Sequence, residues 1–407
     1  MNHDRYLELD FVDQTNDVGL DRRDFLKVTG AGIVLFFAIG ELPAFAQEVR
    51  SRGPRQALPT DFNAFLRIGE DGRVTCYTGK IEMGQGIVTS LAQELADELD
   101  VSLDAVDMVM GDTDLCPWDM GTFGSMSTRY FGPALRSAGA EARMVLVELG
   151  SEHLKTPAEK LATENGFVFD KENKKSRVSY AELAHGKKIE RHATGKVAVK
   201  KPSEFKIMST AVSRRDAREK VTGKAKYAGD VQLDGMLYAK ILRPPAHGAK
   251  LVDVDLTEAK QVRDVLVFRE GDFVAVLHPH PDVAEMALSK IKAKFDKPPA
   301  GPDDKSIFDY LVKAAPEGRV VVYGGDLLDG EIDAEVVVEA TYLDGYKAHA
   351  PIEPHTAVVK IDGDKATVGA STQTPFGAKQ EVAKELGIPP ENVRVIPPFL
   401  GGGFGGK

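Results

Sequence analysis

Cysteine is almost absent: the 407-residue chain has 2, Cys76 and Cys116. Two thiolates cannot hold an iron–sulfur cluster, which needs four protein ligands, nor a four-cysteine zinc site or a disulfide framework. Any iron–sulfur centre serving this chain must sit on another polypeptide. An excess of basic charge is also missing, with 52 Lys plus Arg against 62 Asp plus Glu and a formal net charge of −10. That sign opposes binding along a phosphate backbone and argues against nucleic acid as a partner. Long apolar runs are lacking too. The stretch at residues 28–40 would make only about 20 Å of helix, short of a roughly 30 Å hydrocarbon core. What remains is 43% hydrophobic with 39 Gly and 22 Pro, the composition of a globular chain of two or three domains.

The N-terminal segment reads as a targeting signal. Asp21-Arg22-Arg23-Asp24-Phe25-Leu26-Lys27 precedes the apolar stretch, and Ala44-Phe45-Ala46 follows it. Charged region, short apolar region and Ala-x-Ala site occur in leader order. The paired arginines resemble the twin-arginine signal that exports proteins folded around a cofactor. The expectation is a leader over 1–46, cleaved after Ala46, and a periplasmic protein.

Residues 47–60 have no hydrophobic period and read as a linker. A first part is expected over 61–206. It opens with strands at 65–68 and 74–78 around an Asp-Gly turn, then a helix over 87–99 with Ile87, Val88, Leu91, Leu95 and Leu99 at helical spacing. A helix over 133–149 starts at Pro133 and exits at Gly150. A second part, 212–297, holds strands at 237–242 and 273–277 and a helix over 282–295. A third, 320–407, holds strands at 335–339, 357–360 and 393–396 and a helix around 380–386.

Three glycine-containing segments carry the readable chemistry. Glu82-Met83-Gly84-Gln85-Gly86 opens the helix at Ile87, where free backbone N–H groups suit an anionic or carbonyl-bearing ligand; the same pattern also serves as an ordinary strand-to-helix turn. Gly121-Thr122-Phe123-Gly124-Ser125-Met126-Ser127-Thr128-Arg129 places hydroxyls and an arginine ahead of a helix. It suits a pyrophosphate, or a simple capping loop. Gly401-Gly402-Gly403-Phe404-Gly405-Gly406-Lys407 lets backbone approach a large flat ligand. It matches the start of a nucleotide P-loop without the Ser or Thr and the helix that such a loop requires. His349, Glu353 and His355 lie in a proline-interrupted loop, so convergence on a metal is not expected. His278-Pro-His280-Pro reads as a turn, Cys76 as a small buried hydrophobe and Cys116 as a loop thiol.

Together these segments resemble the large molybdopterin-binding subunit of the xanthine dehydrogenase and aldehyde oxidase superfamily, closest to its branch of isoquinoline 1-oxidoreductase beta subunits. The likeness rests on Lys-Ile-Glu-Met-Gly-Gln-Gly, Gly-Ser-Met-Ser-Thr-Arg, the stretch from Arg215-Asp216 to Ala246-His247, Glu353-Pro-His-Thr-Ala-Val-Val, Ser371-Thr-Gln-Thr-Pro and the final glycine run. The resemblance implies an α+β fold, with α/β molybdopterin-binding lobes around an a/b hammerhead domain at 212–297. It implies cofactor contacts at Gly84, Gln85, Gly86, Ser125, Ser127, Thr128, Gln373, Gly402, Gly403, Phe404 and Gly405, with Gln373 facing the metal centre. The cofactor would be molybdopterin, as its cytosine dinucleotide, carrying molybdenum held by the pterin sulfurs. The implied reaction hydroxylates an N-heterocycle or oxidises an aldehyde with water as oxygen source. The family's catalytic glutamate lies downstream of the glycine run, so no catalytic base is assigned here. The chain then corresponds to about the first half of such a subunit, and residues 398–407 are expected to pack poorly. Implied partners are a small [2Fe–2S] subunit, a separate chain carrying the missing half, and a c-type cytochrome. An inactive remnant and an exported, non-redox ligand-binding protein are the competing readings.

Overall fold

The computed structural model describes residues 32–37, 64–318, 320 and 324–407. The twin arginine, Ala46 and the 47–60 linker lie outside the described residues. The architecture is α+β, as expected, with helices packed on small, largely antiparallel sheets. Two compact units form: one holds the residues up to Val231 together with His349–Lys407, the other Gln232–Ala348. These boundaries differ from those read in the sequence. Residues 212–231 fold with the first unit because Arg215 donates to the carbonyl of Val106, and the Phe399 N–H to that of Lys226.

The first unit is built on a five-stranded sheet in the order 106–110, 74–78, 64–69, 32–37 and 188–192. Strand β1 is Gly32–Phe37, β2 Ala64–Gly69 and β3 Val74–Thr78. Helix α1 (Ile87–Leu99) leads to β4 (Val106–Met110), and helix α2 (Gly132–Leu154) to the meander β5 (Leu161–Glu164), β6 (Phe167–Asp170) and β7 (Arg177–Ser179). Strand β8 (Lys188–His192) returns to the sheet beside β1.

The apolar stretch expected to be the centre of a cleaved leader thus supplies a core strand. Strand β1 runs antiparallel to β2 (Leu35 opposite Leu66) and parallel to β8. Ile33, Leu35 and Phe37 point into the main core with Leu66, Leu91, Leu95 and Leu146, while Val34 and Phe36 pack with Phe65 on the opposite face. An unbroken apolar run is the signature of a strand buried on both faces. Composition does not separate it from a leader's apolar region. A chain cut after Ala46 would lack β1.

Helix α1 has the expected bounds. Helix α2 runs past Gly150, which is an internal contact rather than an exit: a Cβ there would lie 2.6 Å from Val168 Cγ1. Cys76 and Cys116 are both buried and free, and burial pushes both thiols up. Cys116 lies in the loop after β4, as expected, but is buried there; its Sγ donates to the Val109 carbonyl at 3.4 Å.

In the second unit β9 (Tyr238–Ile241), β11 (Leu266–Glu270) and β12 (Phe273–His278) form one sheet, and β10 (Lys250–Asp255) pairs with β13 (Lys292–Asp296). Helix α3 (Pro281–Ser289) covers β12 with Ala284 and Ala287. The helix expected over 282–295 therefore stops early, because residues 292–296 find a strand partner in β10. His278 Nδ1 accepts the His280 N–H at 3.0 Å in the turn ahead of α3. Residues 335–339 are exposed and make no strand, since no pairing neighbour stands beside them among the described residues.

The chain re-enters the first unit with β14 (Ala357–Asp362), β15 (Lys365–Ala370), helix α4 (Pro375–Leu386) and β16 (Val393–Ile396), in a sheet ordered β14-β15-β16. Strand β16 is fastened to the loop after β4. Arg394 grips Asp112 through Nε at 3.1 Å and Nη2 at 2.6 Å, and Val395 exchanges two hydrogen bonds with Thr113. The residues that follow are packed, contrary to expectation: Phe399, Leu400 and Gly403 are buried.

Candidate functional site

Strand β3 is followed by Gly79, where a Cβ would lie 2.2 Å from Asp119 Cβ, so only glycine allows the two segments to touch. The next residue, Lys80, is buried, and its ammonium donates to Asp119 Oδ1 and to the Gly121 carbonyl, both at 2.8 Å. Asp119 also accepts the Gly121 N–H at 2.8 Å. The pair is thus charge-neutral and further hydrogen-bonded, the condition under which a buried ion pair is tolerated. The Ile81 N–H donates to Thr122 Oγ1 at 3.0 Å. Residues 79–81 therefore hold the start of the 121–129 segment.

Gln373 joins that segment to the glycine run. Its Nε2 donates to the Thr122 carbonyl at 2.7 Å, and its Oε1 accepts the N–H of Gly405 at 2.9 Å and of Lys407 at 3.3 Å. Its backbone N–H donates to the Lys407 carbonyl and its own carbonyl accepts from Thr122 N–H, at 3.1 and 3.0 Å. The side chain is 2% exposed. Both Oε1 lone pairs are occupied, so Gln373 is a clamp between two loops. Gly403 must be glycine for the clamp to close, since a Cβ would stand 2.5 Å from Gln373 Oε1.

Glu353 supports the same run from a third segment. Its Oε2 accepts the Gly401 N–H at 2.7 Å and the buried Lys407 ammonium at 2.8 Å. Its Oε1 is buried and has no hydrogen-bond partner among the described residues. A buried carboxylate oxygen left bare is costly and fits a donor-bearing ligand. His349 lies under Gly406, and His355 is exposed. Among the described residues no group of three His, Cys, Asp or Glu side chains is placed to hold a metal ion.

The other expected contacts are mostly exposed. Ser125 has φ +56°, and Gly124, Ser125, Thr128 and Arg129 are exposed. Residues Ser127–Phe131 form a π-helical turn that runs into α2, a distortion frequent at functional sites. Hydroxyls, a guanidinium and the N-terminal end of a 23-residue helix suit an anionic phosphate. Phe404 has φ +55° and an exposed ring beside the exposed Gly405, a surface for a flat ring system. Gly402, also at positive φ, packs under the Phe404 ring.

The Met-Gly-Gln-Gly turn differs from its sequence reading. Glu82 Oε1 accepts the N–H groups of Gly84 and Gly86, and Oε2 that of Val88. Gln85 folds back on the turn, its Oε1 taking the Met83 N–H at 2.7 Å and its Nε2 donating to the Ile81 carbonyl at 3.0 Å. The helix-end amides are filled by the protein's own carboxylate rather than left open for an anion.

Models of the molybdopterin cofactor-binding domain match residues 13–228 and 313–407. The chain belongs to the molybdopterin-binding family of the xanthine dehydrogenase and aldehyde oxidase type. The first match begins ahead of Ala46 and includes β1, as befits a strand of the domain. The molybdopterin-binding chain is 30% identical over 354 residues to a nicotinate dehydrogenase subunit of Pseudomonas putida, covering 84% of this chain and 29% of the relative. It is 29% identical over 446 residues to the beta subunit of isoquinoline 1-oxidoreductase from Brevundimonas diminuta, covering 95% and 56%. It is 34% identical over 236 residues to the aldehyde oxidoreductase molybdenum-binding subunit PaoC of Escherichia coli, covering 50% and 32%. The chain thus spans between under a third and just over half the length of these relatives. Lys80, Asp119, Glu82 and the clamp role of Gln373 escaped sequence reading. Lys80 carried one signal, a lone charge between Gly79 and Ile81 at the end of a buried strand.

Proposed function

We propose that this chain forms the cofactor cleft of a molybdenum hydroxylase that oxidises an N-heteroaromatic compound, with an aldehyde as the alternative substrate class. The observation that carries the reading is the convergence on Gln373 of the Gly121–Thr122 loop and the glycine run, segments far apart in sequence. The relatives named for nicotinate, isoquinoline and aldehyde oxidation support it. When bound, the molybdenum cofactor supplies a two-electron acceptor for oxidation of a carbon centre, with water as the proposed oxygen source.

The chain's own residues bind and orient. Ser125, Ser127 and Thr128 donate hydroxyl hydrogen bonds to the cofactor's phosphates, and Arg129 adds charge. The cofactor is proposed to be the cytosine dinucleotide form, whose pyrophosphate would meet these hydroxyls and Arg129. Gly402, Gly403, Phe404 and Gly405 present backbone and one aromatic ring to the flat part of the cofactor, with the loop held rigid from beneath by Gln373, Glu353 and Lys407. Electrons leave through a small [2Fe–2S] subunit, in keeping with two buried, free cysteines that can ligate no cluster; a c-type cytochrome is the proposed final acceptor. The test is to express the chain with its genomic neighbours and measure molybdenum, oxidised pterin and nucleotide released by acid. Stoichiometric molybdenum, pterin and CMP support the reading. A soluble, folded complex with neither metal nor pterin sinks it.

A further inference from the structure

The Met-Gly-Gln-Gly turn is held from outside by an arginine 130 positions downstream. Gly84 and Gly86 have φ of +105° and +85°, and no atom of the described residues lies within 4 Å of a Cβ built on Gly84. The turn is therefore short of packing contacts, and polar contacts must fix its shape. Glu82, with a side chain 9% exposed, binds three amides of the turn and the first turn of α1, at 2.8, 3.0 and 3.1 Å. That leaves the Gly84 carbonyl, which accepts Arg214 Nη1 at 2.8 Å, while Arg214 Nη2 lies 3.4 Å from Glu82 Oε1.

Arg214 is itself oriented. Asp216 grips it bidentately, Nε to Oδ1 at 3.0 Å and Nη2 to Oδ2 at 2.7 Å, and Lys220 donates to the same Oδ2. Burial alone would raise the Asp216 carboxyl, but hydrogen bonds from Arg214 and Lys220 and their charges hold it down to about 2. The neighbouring Arg215 pins this segment to the body of the unit. Its N–H donates to Thr89 Oγ1 at 3.1 Å and its guanidinium to the carbonyls of Val106 and Leu103. The two arginines anchor the segment at one point and brace the turn from the other.

We infer that Arg214 is a positioning residue for the cofactor-binding turn, setting the conformation of Gly84-Gln85-Gly86 through the Gly84 carbonyl and the Glu82 carboxylate. It acts through the turn and need not touch the cofactor. The inference rests on the proposal, implied by the family resemblance, that residues 84–86 touch the cofactor through groups of the turn other than the amides that Glu82 fills. A planar fork is required because three acceptors are met in fixed directions, which a lysine ammonium cannot reproduce.

The experiment compares the full-length protein with Arg214→Gln, Arg214→Lys and Asp216→Asn. Backbone hydrogen exchange is read at 83–88, with 90–99 of α1 as the internal control, beside pterin retained per chain. In Arg214→Gln, exchange at 83–88 is expected to rise about tenfold or more, the scale of one charge-assisted hydrogen bond, with 90–99 unchanged and retained pterin several-fold lower. Arg214→Lys should recover part of both, and Asp216→Asn should fall between Arg214→Gln and the parent. Unchanged exchange at 83–88 in a folded Arg214→Gln variant overturns the inference, as does an equal rise over 90–99. If the unmodified protein carries no pterin, the cofactor assignment fails separately, while the exchange result still decides whether Arg214 fixes the turn.

Discussion

Removing β1 should abolish the fold of the first unit, whereas removing a leader should leave it intact. Ile33, Val34, Leu35, Phe36 and Phe37 are each 4% exposed or less. Burying a side chain of this kind stabilises by roughly 1.5–3 kcal/mol, so the strand contributes on the order of 10 kcal/mol before any allowance for a compact unfolded state. That equals the whole stability of a typical domain, about 5–15 kcal/mol. Deletion also strips β2 and β8 of the neighbour between them and leaves two raw edges. A chain beginning at Gln47 is expected to be insoluble or molten. The milder Leu35→Ala change, at a position 0% exposed opposite Leu66, should cost about 3–5 kcal/mol, the range for leucine truncation in a packed core. Urea denaturation followed by circular dichroism measures both, and intact mass of protein from its native host reports whether residues 32–37 are present. A mature chain starting at Gln47 that is as soluble and stable as the full one would contradict a structural β1, as would a Leu35→Ala variant about as stable as the parent.

Three further outcomes are expected. Gln373→Leu removes three side-chain hydrogen bonds and strands the Thr122 carbonyl and the Gly405 and Lys407 amides; a loss on the order of 3 kcal/mol should appear in the urea midpoint, with faster exchange at 121–122 and 403–407. Gly403→Ala drives a Cβ against Gln373 Oε1 and should open the same clamp at a cost of about 1–3 kcal/mol, visible as matched exchange at both loops; a shift confined to residue 403 would contradict it. Glu94, buried between α1 and α2 with one bare oxygen, is raised to about 7 by burial, with Glu98 adding to the shift and Arg136 opposing it. The folded state therefore keeps a proton that the unfolded chain has released above about pH 4.3, and stability declines as pH rises from there to 7. Glu94→Gln should match the parent near pH 4 and exceed it by up to about 3 kcal/mol at pH 8, read from paired denaturation curves; a constant difference across that range would count against a neutral Glu94.

Much of this fold was legible locally. Helix α1 and strand β3 were bounded correctly because their apolar spacing repeats within one or two turns, and the order of five short motifs carried the family. Other elements were ambiguous for nameable reasons. Gly150 looks like a helix exit until Val168 is seen to need its missing side chain. Residues 292–296 continue a helical pattern until β10 offers them an edge. The 335–339 run has strand composition and no partner among the described residues.

The same division governs the site. Residue types alone mark out three segments as binding candidates, because glycines, hydroxyls and amides cluster in them. What each group does there follows from the packing around it. Gln373 and Glu82 carry the chemistry to meet a ligand, yet their hydrogen-bonding capacity is largely occupied by Thr122, Gly405 and Lys407 in one case and by three amides and Arg214 in the other. A side chain's donors and acceptors are fixed by its residue type. Which of them stay free is set by groups up to 251 positions away, and β1 shows the same for apolar surface, which becomes leader or core according to what folds against it.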